Sequence, residues 1–237
     1  MKVTIVGSGR AGQSFAIALA AAGHDVSLLH HDELERVSGD LVLLTVPDDA
    51  LADVAGAIAP DASRVLAHVA GSRTLQVLAG HPRVASLHPL AVLSSPERGA
   101  ARLRGATYCV SGDQVANDLV ASLEGRVISL EDSRRTLYHA TATVAANHLV
   151  ALMGQVENLA RAAGLELEDV LALAGQALAD VASDGPARAL TGPASRGDVE
   201  PIDAHLAAMP EPERATYVAL AAAAFELAER RRSTALA

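Results

Sequence analysis

An α/β domain built on a parallel sheet, followed by an all-helical region, is the fold class this sequence predicts. Three observations predict it. Short apolar runs rich in β-branched residues alternate with helical patterns through the first 130 residues. A glycine-rich run, Gly7-Ser-Gly-Arg-Ala-Gly12, separates the first apolar run from the first helical pattern. Beyond Glu131 the strand patterns stop and only helical ones remain. The expected division is therefore an α/β domain over 1–130 and a helical domain over 131–237.

The elements follow in order. Lys2–Val6 reads as a strand, Gln13–Ala22 as a helix closed by Gly23, and Asp25–Leu29 as the second strand of a βαβ unit. Asp40–Val46 is almost wholly apolar, as expected for a strand covered on both faces. Pro47-Asp-Asp49 ends it and starts a helix reaching about Ala59. Arg64–Val69 and Arg83–Leu87 are further strands, with a short helix or turn at Arg73–Leu78 between them. His88-Pro89 ends the later of the two. Ala106–Val110 is a strand, Gln114–Leu123 a helix and Arg126–Leu130 the last strand. Helices are expected at Ser133–Ala163, Glu166–Ser183, Ile202–Met209 and Glu213–Arg232. Residues 184–198 are rich in Gly and Pro and show no clear period.

Composition narrows the possible partners. Half of the 237 residues are hydrophobic, only 2% are aromatic and none is Trp, so the core must be aliphatic. The net charge of −9 removes nucleic acid from consideration, because phosphate neutralisation needs a basic face. The single cysteine, Cys109, excludes an intramolecular disulfide and a thiolate zinc site. Within the apolar run Thr107–Val110 it reads as a small buried hydrophobe. The nine histidines are scattered, so no metal site is expected. The adjacent pair His30 and His31 would point to opposite faces if the second strand continued. No signal-peptide pattern opens the chain, and no uncharged apolar stretch is long enough to require a membrane. A cytoplasmic location is expected, and the long Ala-spaced helix after residue 133 suggests a homodimer.

The glycine run carries the first chemistry. A bare G-x-G-x-x-G is weak evidence, but here a strand precedes it and a helix and second strand follow. Gly7 permits the tight turn, Gly9 lets a pyrophosphate approach the backbone, and Gly12 lets the helix pack closely. The helix end then offers free N–H groups and positive potential to phosphates. This is a Rossmann-type dinucleotide site. The expected set is Gly7, Ser8, Gly9, Arg10, Ala11 and Gly12, joined by His30 and His31 after the second strand and by Val46 and Pro47 after the third. NAD binders usually place a carboxylate where His30 stands. A carboxylate there would repel a 2′-phosphate, and Arg10 adds positive charge, so NADP is the expected cofactor, with NAD as the alternative if Asp32 takes the ribose.

The Rossmann start, the Thr45-Val-Pro-Asp48 strand end and the helical second half resemble the 6-phosphogluconate-dehydrogenase-like superfamily. That group includes β-hydroxyacid dehydrogenases and ketopantoate, pyrroline-carboxylate and prephenate enzymes. Ser86-Leu-His-Pro-Leu90, Tyr138-His-Ala140, Ala146-Asn147 and Leu190-Thr-Gly-Pro-Ala-Ser-Arg-Gly-Asp198 are similar to Rossmann-like proteins whose C-terminal domain is of unknown function. The resemblance implies an NADP-type oxidoreductase fold.

Hydride transfer belongs to the nicotinamide, so the protein must hold the substrate and supply a proton. The β-hydroxyacid dehydrogenases use a Lys followed four residues later by an Asn; Asn147 resembles that Asn, but Thr143 stands where the Lys would be. No Lys occurs after Lys2. One turn further back is His139, and positions 139, 143 and 147 would share one helix face. His139 is therefore the candidate general acid, with Asn147 orienting substrate. His88, the second candidate acid/base group, lies at the carboxyl end of the fifth strand, where open α/β sheets bind ligands, and its His-Pro pair resembles that of prephenate dehydrogenases. Ser72, after the fourth strand, resembles another active-site position of that group. In the turn-rich stretch, Arg196 is a candidate partner for a substrate carboxylate and Thr191 a hydroxyl donor, unless Arg196 pairs with Asp198 instead. The expected function is an NADP-dependent oxidoreductase acting on a small carboxylate-bearing keto acid or imine. The alternative is a non-catalytic dinucleotide-binding sensor.

Overall fold

The computed structural model describes residues 1–235, which form two compact units parted after Asn147. The first unit contains β1 (Lys2–Val6), α1 (Arg10–Ala21), β2 (Asp25–Leu29), β3 (Leu41–Leu44), α2 (Leu51–Ala57), β4 (Val65–His68), β5 (Val84–Pro89), α3 (Pro96–Leu103), β6 (Thr107–Gly112), α4 (Val115–Ser122), β7 (Arg126–Ser129) and α5 (Arg135–Thr143). Its seven strands form one sheet in the order β2-β1-β3-β4-β5-β6-β7.

Every strand pair is parallel except β5 and β6. The link from Pro89 to Thr107 leaves and re-enters the sheet at the same end of the strands: Pro89 is opposite Tyr108, and the Leu90 N–H donates to the Thr107 carbonyl at 2.8 Å. β6 therefore runs back against β5. β5 is also longer than its apolar pattern suggests, because it includes His88 and Pro89.

An interior strand, β3, shows why the sheet is stable. All four residues of β3 are buried; Leu41 and Leu43 face one aliphatic cluster, and Val42 and Leu44 face the other. α1 supplies Phe15, Ala18 and Leu19 to the first cluster, and α2 supplies Leu51 and Val54 to the second. Each such Leu contributes about 1.5–3 kcal/mol by leaving water. Cys109 is fully buried, as its apolar surroundings suggest.

α3 has no counterpart in the sequence reading. It begins where the Ser95 hydroxyl accepts the Arg98 N–H and Pro96 takes the first turn, a position that needs no N–H. It packs on α1 through Gly99, where a Cβ would lie 2.1 Å from Ser14 Oγ.

The long helix expected over 133–163 is interrupted. A π-helical turn, Val144–His148, separates α5 from α6 (Leu149–Ala162). The wider turn breaks the four-residue stripe, so Asn147 does not follow Thr143 by one α turn.

The second unit contains α6, α7 (Leu167–Asp184), α8 (Pro186–Ala189), α9 (Gly192–Arg196), α10 (Glu200–Ala208) and α11 (Arg214–Ala235). α7 opens with a capping box in which the Glu166 N–H donates to Asp169 Oδ2 at 2.9 Å. The stretch without clear period folds into the two short helices α8 and α9. Arg231 of α11 secures it, donating to the carbonyls of Leu190 at 3.3 Å and Ser195 at 3.1 Å. No residue of α7 is buried. No helix among the described residues is long and apolar enough to cross a membrane.

Candidate active site

The glycine loop joins β1 to α1. Gly7 adopts φ +113°, which disfavours any side chain. A Cβ on Gly12 would lie 1.8 Å from the Gly7 carbonyl oxygen, so the helix enters at a distance only glycine allows. Thr45, just after β3, locks the turn by donating its hydroxyl to the Gly7 carbonyl at 2.9 Å. A Cβ on Gly9 would meet nothing within 4 Å, which leaves open space over the start of α1.

That space is a cleft of about 460 Å³. Of the ten residues expected to face a dinucleotide, nine line it: Gly7, Ser8, Gly9, Arg10, Ala11, His30, His31, Val46 and Pro47. Gly12 is buried beneath the loop. Thr45 and Leu93 also line the cleft and were not foreseen. β2 stops at Leu29, so His30 and His31 do not alternate across a strand; their rings lie 4.2 Å apart. His30 Nδ1 is 2.7 Å from Asp32 Oδ1, and this bond holds the Asp32 carboxyl below its ordinary range. The loop therefore offers backbone N–H groups, Arg10 and an imidazole already paired with the nearest carboxylate. These features fit the pyrophosphate and ribose end of a dinucleotide.

A second set of groups gathers at the carboxyl ends of β4 and β5, against α5. His68 ends β4 and is fully buried. Its Nδ1 accepts the Ala70 N–H at 3.2 Å, which places the ring proton on Nε2, and Nε2 has no partner among the described residues. His88 Nδ1 is 2.7 Å from the Tyr138 hydroxyl. The rings of His88 and His139 are 6.1 Å apart. Both face Gly71: a Cβ there would lie 2.8 Å from His88 Nε2 and 3.1 Å from His139 Nδ1. His139 Nδ1 is buried and likewise unpartnered among the described residues.

Arg135, one turn before His139, is 1% exposed. Its guanidinium donates to Ser86 Oγ at 2.8 Å, Ser111 Oγ at 3.2 Å and the Ala70 carbonyl at 3.4 Å, all neutral acceptors. Asp132 Oδ1 stands 3.9 Å from its Nε and is exposed. Burial, followed by the Arg135 charge, pushes His68 down to about 4. Burial, then His139 and Arg135, pushes His88 down to about 4. Burial raises the Tyr138 phenol above its ordinary range.

Ser72 connects the two regions. Its hydroxyl donates to Asp48, the residue that follows Pro47 of the cleft. The structure thus places His88, His139 and Ser72 around Gly71, while Asn147 is exposed within the π turn. In the second unit, Thr191 is exposed just before α9, and Arg196 Nε donates to Asp198 Oδ2 at 2.8 Å. Sequence reasoning missed Arg135 and His68, and it used Tyr138 only as part of a motif. The spacing Arg135, Tyr138, His139, one helical turn, was the available signal for two of them.

Residues 107–224 match the family profile of a domain of unknown function, DUF2520. No curated protein matches this chain. Among solved structures, a candidate NADP oxidoreductase from Bacteroides fragilis superposes with a TM-score of 0.79 at 20% identity, covering 95% of this chain and 98% of that one. A reductive aminase from Aspergillus terreus in complex with NADPH and ethyl levulinate gives 0.67 at 15% identity, covering 95% and 93%. Pyrroline carboxylate reductase from Plasmodium falciparum with NADP bound gives 0.63 at 15%, covering 98% and 97%. At these identities the likeness shows a shared fold.

Proposed function

We propose, from the premise that this chain is a Rossmann-like protein of the 6-phosphogluconate-dehydrogenase-like superfamily with a DUF2520 domain over residues 107–224, that it is an NADP-dependent oxidoreductase. One observation carries the reading. The cleft at the glycine loop and the histidine groups around Gly71 adjoin through Pro47, Asp48 and Ser72. The backbone of Gly7 to Gly12 would hold the pyrophosphate, with Arg10 and His30 at the 2′-phosphate. NADP supplies hydride donation or acceptance when bound. His139 exchanges the proton, His88 polarises the reacting oxygen or nitrogen, and Ser72 positions the substrate. Asn147, Thr191 and Arg196 are further candidates for substrate positioning, Arg196 only on releasing Asp198.

The substrate class is a small carboxylate-bearing keto acid or imine. The reductive aminase and pyrroline carboxylate reductase folds support the imine member of that pair. A homodimer belongs to the same proposal, because α7 buries none of its residues and exposes Leu171, Leu173 and Leu178. A solution mass equal to one chain would remove it.

Loss of NADPH absorbance during a screen of keto acids, with and without amine, and of cyclic imines tests the reaction class. His139→Ala should lower turnover about 100-fold or more with NADPH affinity kept. Cofactor binding with no turnover on any substrate would favour the second reading, a dinucleotide-binding sensor, which the Thr at position 143 in place of a Lys also supports.

A further inference from the structure

His88 and His139 face the same glycine, yet their surroundings differ. The Tyr138 hydroxyl meets His88 Nδ1 at 2.7 Å. The alternative acceptor for that hydroxyl, the His88 carbonyl, is 3.5 Å away. With the phenol proton retained by burial, the short bond runs from Tyr138 O–H to Nδ1. The ring proton of His88 then sits on Nε2, the atom directed at Gly71. Among the described residues His139 Nδ1 has no such partner, and the residue is half-exposed.

The basic groups around His88 act in the same direction. From α5 come the buried Arg135 guanidinium and His139, and from β4 comes His68. Arg135 is hydrogen-bonded to two hydroxyls and a carbonyl, and its ion-pair partner Asp132 is exposed and 3.9 Å away, so its charge is only weakly offset. Cys109 on β6 is kept as a neutral thiol by burial. The anion acting on His88 is Asp48, which is occupied by the Ser72 hydroxyl and lies 3.9 Å from Arg73. A second cation at His88 would be added to a buried cation in a poorly solvated site.

We propose that His88 acts as a permanently neutral Nε2–H hydrogen-bond donor to the reacting atom, that Tyr138 and Arg135 are the positioning residues that keep it so, and that His139 alone exchanges the proton. The proposal rests on the oxidoreductase reading for its substrate. It deepens that reading by fixing the protonation state and tautomer of His88 and by naming the residues that hold them. His88 donates to the oxygen or nitrogen on which negative charge develops and keeps its own proton throughout. His139 gives one proton to that same atom and regains one from solvent. Gly71 is required because any side chain would fill the space in front of both nitrogens.

The test uses imidazole 15N NMR on the free full-length protein, with His88 assigned from a His88→Gln variant. The expected result is a single Nε2–H tautomer at His88 that does not titrate between about pH 5 and 8. Tyr138→Phe should give mixed tautomers at His88. Arg135→Lys, a milder change than removal, should leave His88 neutral over the same range, because it retains the charge. In turnover, Tyr138→Phe should lower kcat about 10- to 100-fold with KM nearly unchanged. A His88 that titrates near pH 6.5, or that carries its proton on Nδ1 in the wild type, would overturn the proposal. These spectra are read without nucleotide or substrate, so they decide the state of His88 whether or not the protein turns over NADPH.

Discussion

Tyr138 stands edge-on to His88, with ring planes at 86° and the phenol oxygen 2.7 Å from Nδ1. This contact ties α5 to the end of β5 across 50 residues of sequence. What holds His88 neutral also sets how the fold responds to acid.

His68 and His88 are both held near 4 in the folded chain, against about 6.5 when unfolded. The unfolded chain therefore binds more protons between these values, and stability falls as pH falls through that window. Urea denaturation should show a loss of roughly 2 kcal/mol per histidine between pH 7 and pH 5. Arg135→Met should shrink that loss, because it removes the second cause of the His68 shift and the third cause of the His88 shift while leaving burial in place. Equal stability at the two pH values would show that neither histidine is held neutral by the fold.

The loop glycines separate folding from binding. Gly12→Ala drives a Cβ into the Gly7 carbonyl and should cost about 2–4 kcal/mol, read as a lower melting temperature. Gly9→Ala meets no protein atom and should leave the melting temperature unchanged while weakening NADPH binding. Equal effects of both variants on melting would contradict the role given to the open space at Gly9.

Much of this was legible in the sequence, for identifiable reasons. The glycine loop imposes backbone demands that only one residue type meets, so its spacing revealed both the turn and the cleft. His88 stood out by its place at a strand end. His139 stood out by its place on a helix beside a missing Lys. Arg135 did not stand out, because its partners Ser86 and Ala70 lie 49 and 65 residues away and only folding brings them together. His68 read as the end of an apolar strand, and nothing local marks its buried ring. The direction of β6 depends on where its connection re-enters the sheet, which periodicity does not encode. α3 escaped because eight residues with few apolar side chains give little periodic signal. Arg196 was legible in both its readings, and the bond to Asp198 is the one the structure contains.

Cys109 gives a simple probe of the core. It is fully buried, and burial raises its thiol above the ordinary range. A thiol reagent should leave the native protein unmodified and label one site per chain once urea unfolds it. Labelling at native-state rates comparable to free thiol would show that β6 opens under native conditions.

The most direct test of the central claim is a titration of the purified protein with NADPH and with NADH, followed by nicotinamide fluorescence, with Gly9→Asp as control. The account predicts micromolar binding of NADPH, weaker binding of NADH, and loss of both in the control. Binding of neither nucleotide would contradict it, because the cleft at the glycine loop is the ground on which the oxidoreductase reading stands.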